Sequence, residues 1–466
     1  MRISFISCLL LVSFLVLSVL FSMTQNASGQ DDLRWQLKEM DEIVRSQQEQ
    51  IQAIRNQLNA TNTSIEGIKE GKREPNDFRA YWDKGLRFES ENGNFKLKIG
   101  GRVMNDWGWF TQDSKIEKSI GDQVDGTEFR RSRIYLSGDI YKNIGFKAQY
   151  DFAGGGRPDF KDVYMELKKI PYLGSFRVGH FKEPFSLEEL TSSKYITFME
   201  RSLNNAFAPS RNTGFMLHNH MLDKRMTWSG GVFRHADDFG DSEGDKTTEG
   251  GYSLSGRITA LPWYEDEGRK LIHIGFSLSR QNAFDENIVS FRATPEMHLA
   301  DRFVDTRDIV AESFNLFNPE LAFVYGPFSL QTEYTLADVE LENSPDSDPD
   351  FSGYYVSGSY FLTGESRKYK TKGGVFDRVK PNRSFEWGKS PGAIELTARY
   401  SQLDLSDEKI RGGRLNDVTL GINWYLNPNT RVMMNYVMAD VNRSVGGTRL
   451  SDDDANLFGM RFQIDF

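Results

Sequence analysis

Arginine and lysine side chains recur at alternate positions in several stretches of the sequence, and they are the residue types best suited to binding anions. Arg102, Arg131 and Arg133 each lie in a run in which polar and apolar residues alternate. The guanidinium group is planar, offers paired donors to phosphate or carboxylate oxygens and stays charged at any working pH. If the two runs are neighbouring β-strands, the three arginines form a local cluster of positive charge on adjacent strands.

The same alternation assigns other charged residues to the polar face of the predicted strands. The basic members are Lys96, Lys98, Arg102, Arg131, Arg133, Lys147, Arg177, Arg257, Arg399 and Arg461. The acidic members are Asp106, Asp139, Asp151, Asp162, Glu166, Glu395 and Asp465. Because both signs are present, a preference for anions has to come from local clustering of arginine. For any single arginine, the alternative is that it forms an ion pair with a carboxylate on the same face and only stiffens the sheet.

A period of two is the main secondary-structure signal after residue 95. About sixteen segments show it or are bounded by turn residues, at 95–109, 133–140, 144–152, 162–167, 174–182, 212–221, 225–234, 251–261, 270–281, 312–325, 327–339, 351–362, 392–403, 416–426, 430–441 and 454–466. The clearest runs are long enough for a tilted strand to cross the hydrocarbon layer, and an even number lets an antiparallel sheet close without an edge. The sequence therefore predicts an all-β, antiparallel transmembrane β-barrel.

Composition and loop lengths agree with a barrel. A mean hydropathy of -0.53 with 26% charged residues excludes a membrane protein of many helical spans, and the net charge of -9 argues against nucleic acid as a partner. Short turns such as Lys142-Asn143 and Gly326-Pro327 alternate with long, acidic loops such as 236–250. Short turns on one side and long loops on the other are typical of outer-membrane barrels.

The last strand alternates strictly and ends on an aromatic residue. Its apolar face is Phe458, Met460, Phe462, Ile464 and Phe466. This ending resembles the C-terminal signal that the barrel insertion machinery of bacteria with an outer membrane recognises. We therefore expect Phe466 to engage that machinery and the protein to lie in the outer membrane of a Gram-negative-type bacterium.

The N-terminal part of the chain has a different pattern. Residues 1–29 are typical of a secretory signal peptide, with an uncleaved anchor as the alternative. Residues 31–70 carry apolar residues in heptad spacing, as at Leu37, Val44 and Ile51, which predicts a coiled coil. The alternative is an amphipathic helix that lies on its own barrel. Residues 71–94 are expected to be a linker before the barrel at 95–466.

The segment 182–211 lacks clean alternation although strand candidates flank it. A loop of about thirty residues in a compact unit is usually functional, and in a barrel it could fold inward and set the narrowest diameter. The alternative is an ordinary external loop. No catalytic constellation is evident, so we expect neither enzyme activity nor a cofactor or metal.

Several motifs resemble those of the phosphate-selective porin O and P family over about residues 95–466. They are Gly101-Arg102, Phe129-Arg130-Arg131-Ser132-Arg133, Gly179-His180-Phe181-Lys182-Glu183-Pro184-Phe185, Thr191-Ser192-Ser193-Lys194-Tyr195, Met199-Glu200-Arg201 and Val324-Tyr325-Gly326-Pro327-Phe328-Ser329-Leu330-Gln331. The resemblance implies a trimeric barrel of sixteen strands. It also implies an inward-folded third loop and arginine-lined walls that select phosphate or polyphosphate.

The same resemblance implies that Arg102, Arg130, Arg131 and Lys182 line the constriction, with Asp162 as a nearby carboxylate. Alternation supports Arg102 and Arg131 but places Arg130 on the lipid side unless a bulge intervenes. Together with Arg133 these are the candidate substrate-binding residues. The expected function is a passive channel for small anions such as phosphate. The alternatives are a less selective porin for general solutes and a structural tether that acts through the coiled coil.

Overall fold

The computed structural model describes residues 30–69, 77–154, 156–241, 251–283, 287–445 and 448–466. The chain divides into two units, Met1–Glu74 and Pro75–Phe466. The predicted signal peptide lies outside the described residues. In the first unit, helix α1 (Gln30–Lys69) covers the predicted coiled coil. No helix among the described residues has both the length and the apolar character needed to cross a membrane.

The second unit consists almost entirely of β-strands. In chain order the strands are β1 (Phe78–Trp82), β2 (Leu86–Ser90), β3 (Phe95–Gln112), β4 (Gly126–Ile140), β5 (Ile144–Asp151), β6 (Asp159–Ile170), β7 (Gly174–Lys182), β8 (Arg211–Met221), β9 (Met226–Arg234), β10 (Ser253–Glu265), β11 (Lys270–Asn282), β12 (Ile288–Val289), β13 (Arg292–Ala293), β14 (Val304–Asp305), β15 (Ile309–Tyr325), β16 (Phe328–Leu341), β17 (Asp350–Phe361), β18 (Tyr369–Lys370), β19 (Val375–Phe376), β20 (Ala393–Asp407), β21 (Ile410–Asn427), β22 (Thr430–Val445) and β23 (Thr448–Asp465). Two short helices, α2 (Ser114–Ser119) and α3 (Leu187–Leu190), lie in connecting segments.

Sixteen of these strands form a closed antiparallel barrel, as the sequence predicted. Strands β3 to β11, β15 to β17 and β20 to β23 pair with their neighbours in chain order. The ring closes where β23 pairs with β3, with Phe458 opposite Trp109 and Asp465 opposite Arg102. Each observed barrel strand overlaps one predicted segment, and most are longer at the ends that meet the loops.

Along the barrel strands, apolar side chains are exposed and polar side chains are buried. This is the reverse of the pattern in a soluble protein. Trp107 and Leu420 face outward and are 44% and 48% exposed, whereas Arg461 and Glu333 face inward and are 0% and 1% exposed. A lipid environment reverses the usual preference, because outward side chains meet hydrocarbon and backbone groups are satisfied only within the closed sheet. The predicted division of polar and apolar faces is confirmed.

Strand β4 contains a bulge, which the sequence analysis named only as an exception to the alternation at Arg130. Met104 of β3 lies opposite Arg131, but the next residue, Asn105, lies opposite Phe129. Arg130 is therefore the extra residue. A bulge of this kind turns one side chain onto the other face of the sheet, so Arg130 points inward. The placement on the lipid side that follows from alternation alone is wrong for this residue.

Strands β1 and β2 form a hairpin inside the range that was expected to be a linker. Strand β2 pairs with the start of β3, with Leu86 opposite Ile99. The C-terminal residue lies near the same part of β3, because the backbone amide of Gly101 donates to the carbonyl of Phe466 and the amide of Phe466 donates to that of Gly101. The hairpin and the C-terminus together complete the wall at this end.

Three long connecting segments contribute buried side chains to the interior, and the shorter segment between β3 and β4 adds Ile116. We call residues 183–210, between β7 and β8, the inner loop. The second segment is 283–308, between β11 and β15, where Phe291 and Phe303 are buried. The third is 362–392, between β17 and β20, and we call it the turn-side segment because it lies on the side of the short turns. The sequence pattern did not predict its inward fold, which buries Tyr369 and Phe376.

We predict that Gly100→Val weakens the closed barrel, because a Cβ at Gly100 meets the hydroxyl of Tyr135 and lies 2.6 Å from the carbonyl oxygen of Phe466. Overpacking of this kind costs about 1–3 kcal/mol. The measurement is the temperature at which the folded band is lost in gel electrophoresis. Gly230→Val is the matched control, since a Cβ at Gly230 meets nothing within 4 Å. Equal behaviour of the two variants would contradict the prediction.

Candidate functional site

The inner loop crosses the interior and is held by side chains from distant strands. Near its start, the backbone amides of Leu187 and Glu188 donate to Glu333 of β16 at 2.9 and 2.8 Å. Near its middle, the amide of Met199 donates to Asn435 of β22 at 2.7 Å. Strands β16 and β22 are far from β7 and β8 around the barrel, so the segment spans the lumen instead of extending into solvent.

Glu200 of the inner loop collects three of the inward arginines. The Nε of Arg130 donates to its Oε1 at 2.8 Å and the Nη2 to its Oε2 at 3.0 Å. The Nη2 of Arg461 donates to Oε1 at 2.7 Å, while Nη1 of Arg131 lies 3.7 Å away. Arg461 also makes a two-pronged contact with Asp106 at 2.7 and 2.6 Å. Arg131 is thus the least neutralised member of this group.

Arg102 is buried on β3 and its hydrogen-bond partner is a hydroxyl group. Its Nη1 donates to Ser193 Oγ of the inner loop at 2.6 Å. Within the part of the chain that the structure describes, Arg102 has no carboxylate within ion-pair distance, and its buried Nε has no partner. The buried Nε of Arg131 and the side-chain amide of Gln149 are also without partners in that part. Unpaired buried donors of this kind are costly unless a ligand or water satisfies them.

The other predicted site residues form ion pairs. Arg133 donates through Nε to Asp151 at 2.5 Å, and Asp162 accepts from Nε of Arg211 at 2.8 Å and from Lys147. Lys182 lies 2.6 Å from Oε1 of Glu189.

Glu189 belongs to the inner loop and also pairs with Arg201 at 3.1 Å. Although burial opposes ionisation of this carboxyl, the charges of Arg201 and Lys182 outweigh burial and lower the pKa of Glu189 to about 2. The carboxylate therefore stays ionised at neutral pH. Lys182 is at the inner loop as predicted, but its charge is compensated by Glu189.

Positive charge accumulates around the ring of Tyr135 on β4. The ammonium nitrogens of Lys98, Lys147 and Lys194 lie 5.5, 5.7 and 5.6 Å from its centre. Lys194 belongs to the inner loop, where burial, followed by the charge of Arg102, lowers the pKa of its ammonium group to about 7. An anion bound near such a lysine would stabilise its charged form.

The opposite part of the barrel carries an excess of carboxylates. Arg257 binds Glu320 through two contacts of 2.8 and 2.7 Å. Arg399 binds Glu296 of the segment 283–308 through Nε at 3.0 Å. Further buried acids in this region are Glu188, Glu333, Glu395 and Asp417. We call the part from β3 to β8 the basic wall and the part from β11 to β21 the acidic wall.

Three carboxylates that organise the site were missed by the sequence analysis. Glu189, Glu200 and Glu296 lie in connecting segments, which have no period of two that assigns a residue to one face. Only the partners that the fold brings to them reveal their role. The predicted set of arginines is brought together on β3 and β4, and the structure adds Ser193 and Gln149 to their surroundings. The basic wall therefore presents groups whose charge attracts anions.

Comparison with known proteins agrees with the architecture. Residues 97–466 match the family model described as phosphate-selective porin O and P. The chain belongs to this porin family. It is 27% identical to Porin O of Pseudomonas aeruginosa over 420 residues, covering 82% of this chain and 91% of that protein. It is 28% identical to an uncharacterised protein of Caulobacter vibrioides over 404 residues, covering 83% of this chain and 76% of that protein.

Among solved structures, the porin resembles an anion-selective porin from Comamonas acidovorans with a TM-score of 0.51. The two are 13% identical, and the match covers 79% of this chain and all of the other. At this identity the likeness supports the fold alone. The family identifies this porin as a channel protein of the bacterial outer membrane, and its named relatives are porins, not enzymes.

We predict that Arg461→Met destabilises this porin by about 3–5 kcal/mol, because it leaves Asp106 and Glu200 as buried carboxylates with fewer partners. The matched control is Arg414→Met. Arg414 makes a two-pronged contact with Asp404 at 2.9 and 2.6 Å, but its side chain is 54% exposed. An exposed pair contributes below about 1 kcal/mol. Urea unfolding in lipid vesicles, followed by tryptophan fluorescence, measures both, and similar midpoints would contradict the argument.

Proposed function

We propose that this protein is a passive channel for small anions, with phosphate as the preferred oxyanion and Arg102 as the central binding residue. The observation that carries the proposal is the state of Arg102, a buried arginine that meets a serine hydroxyl and no carboxylate among the described residues. The guanidinium fork matches the oxygens of phosphate, and Ser193 adds a hydroxyl donor. The name of the family points in the same direction.

Conduction requires that binding be strong enough for entry and weak enough for release. The inward arginines differ in how completely carboxylates pair with them, and this difference suits conduction. Arg461 is fully paired, Arg131 is partly paired through Glu200, and Arg102 is available. An anion at Arg102 therefore meets one strong donor group, and the carboxylates that pair with the neighbouring arginines weaken the surrounding positive field. Several modest sites in series conduct better than one tight site.

We assign the constriction to the inner loop, within the predicted range 182–211. It carries Ser193 and Lys194 toward the basic wall, and Arg102 and Tyr135 of that wall contact these two residues. Arg130, Arg131, Arg133, Lys182 and Asp162 surround the same region in this proposal. Because Glu189 compensates Lys182, we expect Lys182 to hold the loop more than it binds solute.

A less selective porin for general solutes is the second candidate. The acidic wall favours it, because a buried carboxylate such as Glu395 repels anions and attracts cations. The two candidates differ in how chloride current responds to phosphate. A selective site lets bound phosphate block chloride, whereas a general channel shows no block.

We predict that Arg102→Met raises the phosphate concentration needed for half-block of chloride current by about tenfold or more, since a hydrogen bond to a charged group is lost. Glu189→Gln should lower that concentration, because it releases the charges of Lys182 and Arg201 into the lumen. Planar-bilayer recording of the reconstituted porin provides the measurement. The outward-facing Arg280→Met serves as the control and should leave the block unchanged.

The results for Arg102→Met and Glu189→Gln could contradict the proposal in three ways. An unchanged block in Arg102→Met, with the folded barrel intact, would remove Arg102 from the site. Absence of any phosphate block in the natural sequence would favour the general-solute channel. Equal shifts of the same sign in both variants would show that they act through loss of loop structure and not through charge.

We further propose that helix α1 self-associates and that the barrel is a homotrimer in the outer-membrane lipid. Leu37, Val44, Ile51 and Leu58 are each at least 43% exposed along one seam. An apolar seam of this kind is stabilised when it packs against other helices. We also propose that Phe466 is the residue recognised by the barrel insertion machinery. A tether function through α1 would be compatible with the channel.

We predict that Ile51→Asp, made in the full-length chain, lowers the proportion of trimer in mild detergent, because a charge in the seam has to be buried on association. Gln52→Asp is the matched control, since it adds the same charge one position away from the seam. Sedimentation and chemical cross-linking measure the oligomer. An unchanged oligomer in Ile51→Asp would show that α1 does not hold the subunits together.

A further inference from the structure

A buried aspartate of the acidic wall, Asp417, has no hydrogen-bond partner for its carboxyl group. The residue lies on β21 and is 0% exposed. Both of its carboxyl oxygens are buried and unpartnered among the described residues. An ionised carboxyl group is costly to bury unless donors or a positive charge compensate it. A proton, a water molecule or a cation therefore has to complete the surroundings of Asp417.

Asp417 is one of four buried residues that form a patch on the inner face of β20 and β21. Ser401 lies opposite Asp417, and Arg399 lies opposite Thr419, in the antiparallel register of the two strands. All four residues are buried. On the other side of β21, the residue opposite Asp417 is Ala439, whose side chain has no polar group. We call these four residues the β20–β21 patch.

Glu296, from the segment 283–308, contacts the other three residues of the β20–β21 patch. Arg399 donates to its carboxylate through Nε at 3.0 Å and also through Nη2. Thr419 donates its hydroxyl hydrogen at 2.5 Å, and Ser401 donates in the same way. An ionised Asp417 has no hydrogen to donate, so it repels Glu296. Two carboxylates thus meet at one patch, and a positive group beside them would stabilise both.

The two hydroxyl oxygens of the patch still have lone pairs. A serine or threonine hydroxyl has one hydrogen and two acceptor lone pairs. Because Glu296 accepts the hydrogens of Ser401 and Thr419, these residues can offer only lone pairs to a further group beside Asp417. Carboxylate and other oxygen atoms are the ligands that Ca²⁺ takes in proteins. The chemistry of the β20–β21 patch therefore suits a hard cation.

The charges at the patch favour a divalent cation. Arg399 is shared between two carboxylates, because its Nη2 contacts Glu296 and its Nη1 lies 3.3 Å from Oε1 of Glu188. With Asp417, these groups comprise three carboxylates and one guanidinium, which leaves an excess of two negative charges when all are ionised. One divalent cation cancels this excess, whereas one proton on Asp417 cancels half of it.

We propose that Asp417 and Glu296 bind one Ca²⁺ ion together with the hydroxyl oxygens of Ser401 and Thr419. Water completes the coordination, since Ca²⁺ takes about six to eight oxygen ligands. The ion holds the segment 283–308 against β20 and β21, because Glu296 belongs to that segment. It also neutralises part of the acidic wall, so it reduces the attraction of the lumen for cations. This site is separate from Arg102 and does not rest on the proposed phosphate preference.

Equilibrium dialysis of the reconstituted porin against Ca²⁺ tests the site, after divalent cations have been removed with EGTA. The natural sequence should bind one Ca²⁺ per chain with half-saturation at or below about 1 mM. Asp417→Asn should lose this ion, because the change removes the charge and keeps the shape of the side chain. The matched control is Asp404→Asn, which should retain the ion, since Asp404 lies on the outer face of β20 and contacts Arg414. Equal binding by the natural sequence and Asp417→Asn would overturn the inference.

A second pair of variants distinguishes a ligand from a structural role. Thr419→Val keeps the volume of the side chain but removes the hydroxyl oxygen, so it should weaken Ca²⁺ binding by about tenfold or more. Thr419→Ser should restore the binding. Anomalous diffraction from crystals soaked in CaCl₂ should show calcium at about 2.3–2.6 Å from a carboxyl oxygen of Asp417. Absence of that peak would show that a proton or water compensates Asp417 instead, and it would overturn the inference.

Reversal potentials in a KCl gradient measure the effect of the site on the channel. Removal of Ca²⁺ with EGTA should lower the ratio of anion to cation permeability in the natural sequence and in Asp404→Asn. Asp417→Asn should lose this dependence on Ca²⁺, and a dependence equal to that of the natural sequence would contradict the inference. Phosphate block is a separate readout: its absence would contradict the proposed function, whereas loss of Ca²⁺ binding in Asp417→Asn would still support the calcium site.

Discussion

Charged side chains in this protein face a confined lumen, and the need to compensate them there governs the rest of the structure. Lipid offers no hydrogen-bond partners, so the outward positions of a closed sheet are apolar and the charges point inward. Three inward-folded segments then exclude much of the water that would otherwise solvate these charges. An enclosed arginine is stable when a carboxylate pairs with it or when a mobile anion does. Loops that place carboxylates therefore decide which arginines remain available.

Glu200 shows how the inner loop performs this selection. It compensates Arg130 and Arg461 at hydrogen-bond distance and leaves Arg131 at 3.7 Å. Glu189 compensates Lys182 in the same way, and Glu296 of the segment 283–308 compensates Arg399. Arg102 meets a hydroxyl from the same inner loop instead. The loop therefore crosses the lumen and also supplies the carboxylates that pair with these basic residues of the wall.

The resulting interior is divided and not uniformly positive. Basic residues predominate from β3 to β8, and carboxylates predominate from β11 to β21. A net charge of -9 for the chain is compatible with an anion path, because an ion responds to the nearest groups along its route. The turn-side segment adds a further basic residue to the interior, because it brings Arg378 beside Arg431 and Lys194. This segment connects two strands on the side where barrels usually have short turns. It reaches the other basic residues only because it folds inward.

The sequence by itself determined the sixteen strands, the two faces of the barrel and the inward position of Arg102 and Arg131. It could do so because lipid imposes a period of two on every strand, and that period is visible in local sequence. Only the tertiary structure decided that Arg130 sits on a bulge, that Lys182 is compensated by Glu189, and that residues 362–392 fold inward. Connecting segments carry no such period, and their partners lie far apart in the chain. Arg378 and Arg431 become neighbours only when the barrel closes around the segments that fill it.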